Sequence, residues 1–201
     1  MARRAAALGF RAHSGWAAVV AVAGTPRRPE ILDRRRIEIA DRSIPGSLQP
    51  YHAAEELPFE KARKLLKRCE AGSARLAHKA VGELAGDLTA KGYTVAGCGL
   101  LLASGRPLPP LESVLASHAL IHAADGEHFR DALVCAVKRH GLSVMRVPER
   151  ELYAAAASRF RTPALALQAS VNEAGKPLGP PWTADQKLAA LVAWLVLAGE
   201  Q

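Results

Sequence analysis

Three cysteines, Cys69, Cys98 and Cys135, are all that this 201-residue chain offers. They are odd in number, far apart, set among apolar neighbours and never spaced as CxxC. That excludes a disulfide framework and a cysteine-built zinc site. Free buried thiols in a reducing cytosol are expected instead. Aromatic residues are scarce too, at 5%, so Ala, Leu and Val must build the core, with backbones in close approach. No apolar run is long enough to span a bilayer, and Leu188–Ala198 falls well short. Arg11 and His13 interrupt the first apolar run before it reaches signal-peptide length, and Arg27 and Arg28 follow the next. The chain is expected to be cytoplasmic and to have no membrane partner. It carries no internal repeat.

What is present is ordinary for a globular protein: 49% hydrophobic and 23% charged residues, in a length that buries a real core. One domain over residues 1–201 is expected. The charge is less ordinary. The formal net charge is +8, and residues 1–50 carry nine Lys/Arg against four Asp/Glu, whereas residues 151–201 carry four of each. A basic half suits a phosphate backbone. The Ala/Arg/Gly-rich, bacterial-like composition offers the plainer alternative that arginine merely solvates the surface.

Apolar periodicity orders the chain. Ala5–Phe10 and Trp16–Ala23 read as strands joined by a polar turn, Arg11–Gly15. Ile31, Ile37 and Ile39 alternate with charge along Glu30–Asp41, a third strand of an antiparallel meander. After an Arg42–Tyr51 loop, three- and four-residue apolar spacing predicts a helix from near Pro58 to Lys91, broken or kinked at Gly72. Gly82 and Gly86 predict close packing. Tyr93–Ala103, apolar on both faces, predicts a central strand. One or two helices follow over Leu111–Gly141, then a strand at Leu142–Val147 and a helix at Pro148–Phe160. Residues 161–181 are Pro/Gly-rich and read as a loop, partly disordered. Thr183–Ala198 is the last helix, with Thr183 as N-cap and Asp185 in its first turn.

Three antiparallel strands followed by alternating helices and strands make an α/β fold, a mixed five-stranded sheet with helices on both faces. This order resembles the ribonuclease H-like fold, and within it RuvC-type Holliday-junction resolvases. The local match is Leu8-Gly9-Phe10-Arg11-Ala12-His13-Ser14-Gly15-Trp16, against a family first strand that ends Leu-Gly-hydrophobic-Asp-Pro-Gly-Ser. The resemblance implies a nuclease with carboxylates around two metal ions. It also implies where this chain departs. Arg11 stands at the first-strand aspartate, Val95–Leu102 has no glutamate, with Cys98 the nearest reactive side chain, and Asp185 is the one acid near the start of the last helix. An arginine cannot ligate a metal. Two-metal nuclease activity is therefore not expected.

The richest polar cluster lies in the second helical region. Steps of four and three residues place His118, His122 and Asp125 within about 60° on one helical face. Two histidines four apart can share a transition metal, with Asp125 as a third ligand or as the group orienting His122. HxxxH alone is common, and hydrogen bonding across the helix or to neighbouring loops is the plainer account of it. Gly126 predicts either a close backbone crossing or a helix break that exposes amides to an anion. In the Arg11–Gly15 turn, Arg11, His13 and Ser14 could hold a phosphate or a carboxylate. Arg34-Arg35-Arg36 reads as a charged edge strand, Glu149 and Glu151 as dipole partners of a helix start, and Trp182 and Trp194 as packing.

The reading that follows is a nuclease-like protein binding nucleic acid or another phosphate-bearing partner. The candidate ligand contacts are Arg11, His13, Ser14, Arg130 and Asp185, and no metal or cofactor is expected. An enzyme using the His118/His122/Asp125 face with Arg11 or His13 across a cleft is one alternative. An assembly module with the Ala-rich last helix as its contact is another.

Overall fold

Strand β1 (Arg4–His13) runs three residues further than its apolar run. Arg11, Ala12 and His13 pair in register with Ala18, Ala17 and Trp16 of β2 (Trp16–Thr25), which shrinks the expected Arg11–Gly15 turn to Ser14-Gly15. Cross-strand pairing continues because polar side chains on an alternating strand need only one solvated position each. Gly15 takes the left-handed backbone (φ 84°) that the tight turn requires. Its carbonyl accepts the amides of Ile39 and Ala40, tying the end of β3 (Arg28–Glu38) to the hairpin tip.

This computed structural model describes residues 3–25, 27–103 and 107–199. Its sheet has the order β3-β2-β1-β4-β5, where β4 is Tyr93–Leu102 and β5 is Ser143–Pro148. The β1–β2 and β2–β3 pairs are antiparallel, and β1–β4 and β4–β5 are parallel. The other elements are α1 (Pro50–Ala54), α2 (Phe59–Ala90), α3 (Leu111–Leu115), α4 (His118–Arg139), α5 (Leu152–Phe160), α6 (Ala164–Gly175) and α7 (Ala184–Gly199).

Alternation divides the core in two. Leu8, Phe10, Val19, Cys98 and Leu100 face Leu84, Phe129 and Leu133 of α2 and α4. Ala7, Val20, Val22 and Leu101 face α5, α6 and α7. Each fully buried Leu or Phe contributes about 1.5–3 kcal/mol, so two such layers hold a fold poor in aromatics. Glycines let α7 lie close to the sheet. A Cβ at Gly9 would sit 1.9 Å from the Ala189 carbonyl oxygen, and one at Gly99 2.7 Å from Val192.

Several expectations need correction. Gly72 does not break α2, which is continuous; Gly72 instead gives room to Asp41 and Ile44. Gly82 packs against His140, but Gly86 faces open space. Residues 161–181, expected as a loop, hold α6, whose Leu167 and Val171 are buried under α7. Cys69 and Cys98 are buried as expected, but Cys135 is exposed. Residues Ala189–Ala198 of α7 are all buried within the chain, so that helix has no free apolar face for a partner. No helix among the described residues is long and apolar enough to cross a membrane.

Candidate functional site

Residues 7, 9, 11 and 13 of β1 share one face of the sheet, the face covered by α7. Arg11 therefore emerges just beyond Gly9, where the close approach of α7 brings the start of that helix over the strand. The start is built by a reciprocal cap. The Thr183 hydroxyl accepts the Gln186 amide at 3.3 Å, and the Gln186 side chain accepts the Thr183 amide at 3.0 Å. Asp185 sits in the first turn and bonds to the Arg11 guanidinium. From the end of β5, Glu149 meets Arg11 in a two-pronged pair, Nε to Oε2 and Nη2 to Oε1, both 2.9 Å. These carboxylates, Glu149 above all, raise the Arg11 pKa further above its ordinary value, against a partial loss of hydration.

His13 closes the cluster. Its Nε2 is 3.1 Å from Arg11 Nη1 and 3.2 Å from Asp185 Oδ1, and its ring stacks on Trp16 at 4.2 Å. Arg36 lies over the same indole, 3.9 Å from its centroid. Ser14 is exposed at the turn and takes no part. Arg34, by contrast, is spent on structure: its guanidinium donates to the carbonyls of Leu178, Gly179, Pro180 and Pro181. Glu149, which the sequence marks only as a dipole partner, is the principal counter-ion of Arg11. Nothing local in the sequence signals that pairing across 138 positions.

Two Thermus thermophilus RuvC structures, one of them in complex with a Holliday junction substrate, align with TM-scores of 0.56 and 0.52. Each alignment covers 97% of this chain, with 94% and 95% of the RuvC chains, at 11% identity. The chain has a ribonuclease H-like fold resembling RuvC. No protein-family model matches, and no curated protein matches by sequence.

On this RuvC-like frame the histidine-bearing helix α4 lies on the other side of the sheet from Arg11. Phe10 packs with Phe129 and Leu133 of α4, so its neighbour Arg11 points away. Arg11 and His13 therefore do not face His118 across a cleft, contrary to expectation. Gly126 does not break α4 either, so no amides are freed there; a Cβ at that position would meet the Arg130 guanidinium at 2.9 Å. Arg130 pairs with Glu127 at 2.9 Å, and its Nε is buried without a partner.

Asp125 is 4% exposed. It does not orient His122. It accepts the Tyr51 amide at 2.7 Å and the His52 Nδ1–H at 2.5 Å. His52, on α1, is the residue that sequence reasoning missed. Its ring meets those of His118 and His122 edge-on, with centroids 5.3 and 4.4 Å away.

A third feature is electrostatic. Lys61, Lys64, Arg68, Arg75 and Lys79 fall within about 60° on one face of α2 and span ~27 Å along it. All five are exposed. Arg75 pairs with Asp41 and Lys79 with Glu83. Lys61, Lys64 and Arg68, with neighbouring Lys67, have no carboxylate within 4 Å among the described residues.

Proposed function

We propose that this chain binds nucleic acid, or another phosphate-bearing partner, on a RuvC-like frame without cleaving it by a two-metal mechanism. The observation that carries this reading is the placement of Arg11. A two-metal centre needs carboxylates whose charge is free to neutralise cations. Here Glu149 and Asp185 converge on a guanidinium, which supplies the positive charge itself. A divalent ion brought there would be repelled by Arg11 and would have to displace a bidentate ion pair. The residues present do not fit such a centre.

The unpaired cations of α2 support the binding half of the reading. Phosphate contacts by Lys and Arg release counter-ions, so affinity gained this way falls steeply with salt. One RuvC relative was solved with a Holliday junction, which makes a four-way junction the natural first ligand, beside duplex and single-stranded DNA.

The test is fluorescence anisotropy with these three DNAs at 50 and 200 mM salt, followed by incubation with Mg²⁺ or Mn²⁺. Binding that weakens by orders of magnitude over that range, with the strands left intact, is the expected outcome. No binding at 50 mM salt overturns the first half. Cation-dependent cleavage that disappears in Asp185→Asn overturns the second.

A further inference from the structure

We infer that His52, His118 and His122 form a binding site for one imidazole-preferring transition metal ion, zinc(II) in the first instance. Their ligand nitrogens all lie within 4.8 Å of one another. His118 and His122 are one turn apart on α4, with their Nε2 atoms 3.1 Å apart. In a tetrahedral zinc site, with Zn–N of about 2.0–2.1 Å, ligand nitrogens lie about 3.3 Å apart. The α4 pair thus already has the span. His52, carried on the short helix α1, needs to move in by no more than about 1.5 Å.

The groups behind the rings favour a metal over a chance cluster. Asp125 is almost wholly buried, and a buried carboxylate is costly unless its bonds are satisfied. Its Oδ2 receives the His52 Nδ1–H. A carboxylate only accepts, so the proton stays on Nδ1 and the Nε2 lone pair is left to a ligand. A carboxylate behind a metal-bound imidazole fixes the tautomer and raises the basicity of the coordinating nitrogen. Glu55 repeats the arrangement more loosely, 3.7 Å from His118 Nδ1, while His118 Nε2 is turned toward His122. Without a cation, one N–H is held between His118 and His122, and His52, whose ring proton goes to Asp125, has none to offer them from Nε2. One divalent ion satisfies all three.

Three protein ligands leave the fourth tetrahedral position to water or an exogenous donor. His118 and His122 are exposed, so that position is accessible. The ion would also join α1 to α4 across the chain, fixing one wall of a groove of about 540 Å³ lined by Arg42, Ser47, Gln49 and His52. This site lies on the opposite side of the sheet from Arg11, on helices packed against α2, and metal binding is read without nucleic acid, so either reading can fail alone.

The experiment is titration of the chelator-stripped full chain with Zn²⁺ by calorimetry and with Co²⁺ by visible absorption. Binding of one ion per chain at micromolar affinity or tighter, a Co²⁺ d–d band, and a Zn²⁺-dependent rise in melting temperature are expected. His118→Ala and His122→Ala, exposed positions whose fold is checked by circular dichroism, should each weaken binding at least tenfold. Asp125→Asn should weaken it about 10- to 100-fold. Binding that is sub-stoichiometric, or that survives at full strength in the His118→Ala/His122→Ala double variant, overturns the proposal. Full affinity in His52→Ala reduces the cluster to an ordinary surface histidine pair and overturns it too.

Discussion

The Arg11 guanidinium meets the Glu149 carboxylate edge to edge, two nitrogens to two oxygens at 2.9 Å, and joins the first strand of the sheet to the end of the last. With Asp185 on its remaining face, Arg11 holds β1, β5 and α7 together at one point. Arg11→Ala leaves two carboxylates facing each other without a counter-ion. The site is partly solvated, with side-chain exposures of 24% for Arg11 and 39% for Glu149, so the effect is moderated by water. A destabilisation of about 1–2 kcal/mol is expected at neutral pH. Arg11→Lys should recover only part of it, because an ammonium cannot match both oxygens. Urea denaturation of the three proteins checks this; equal midpoints would show that the ion pair contributes nothing.

Gly9 sets the distance between β1 and α7. A Cβ there would fall 1.9 Å from the Ala189 carbonyl oxygen, a backbone atom that cannot rotate away. Gly9→Ala is expected to cost about 3 kcal/mol or more, at the upper end of overpacking effects. Gly86→Ala, with nothing within 4 Å and a helical backbone, is expected to stabilise by up to about 1 kcal/mol. Thermal melts of the two variants should move in opposite directions.

Much of the architecture was legible from periodicity. Alternation of Ile37 and Ile39 with charge and the two-faced apolar run after Tyr93 locate strands, and Thr183 with Asp185 locates the start of α7. Ile31, expected on the same face as Ile37 and Ile39, packs on the other side of the sheet because the β2–β3 register shifts between Asp33 and Ile31. What was not legible has particular causes. Arg11 and His13 look like turn residues because they are polar, but pairing with Ala18 and Trp16 extends the strand through them. Gly126 looks like a break, but the helix continues around it and leaves room for Arg130. The Pro/Gly content of 161–181 conceals α6 because its prolines and glycines fall at the helix ends, while Leu167 and Val171 bury a short face. His52 and Glu149 are far along the chain from the residues they serve, and only the folded sheet brings them close.

His128 sits in a largely buried position, bonded to the Ser73 hydroxyl at 3.0 Å. Burial lowers its pKa, with Asp125 and Asp131 opposing the shift only in part. The folded protein therefore takes up a proton less readily than the unfolded chain, whose histidines titrate near 6.5. The stability tied to neutral His128 is complete above about pH 6.5. It is lost as the pH falls from there through the folded-state value, at a slope of up to ~1.4 kcal/mol per pH unit. His128→Gln should flatten the stability profile in that acid window and leave the profile above about pH 7 parallel to wild type. Parallel profiles throughout would exclude His128 as the source.

The thiols should separate by rate. Cys98 is enclosed in the core between β1 and α4, and burial pushes its pKa up to about 12. Burial raises Cys69 as well. The thiolate is the reacting species, so at about pH 8 a disulfide reagent should modify Cys135 rapidly, and Cys69 and Cys98 only on unfolding. Cys135→Ser should abolish the fast phase. A second fast thiol would mean that the α2–α4 layer opens readily.

The cationic face of α2 makes a prediction that a general basic charge does not. If phosphates lie along that face, Lys61→Glu, Lys64→Glu and Arg68→Glu each take away one phosphate-neutralising cation and add a repulsion. Each of them should then lower the slope of log affinity against log salt by about one. Arg63→Glu is the control: it lies on a different azimuth of the same helix and is already paired with Glu60 at 3.0 Å, yet it changes the net charge equally. If binding were only attraction to a chain of net charge +8, all four substitutions would weaken it alike. A selective effect in the first three identifies the surface, and it would place the bound partner on α2, away from the Arg11 cluster across the sheet.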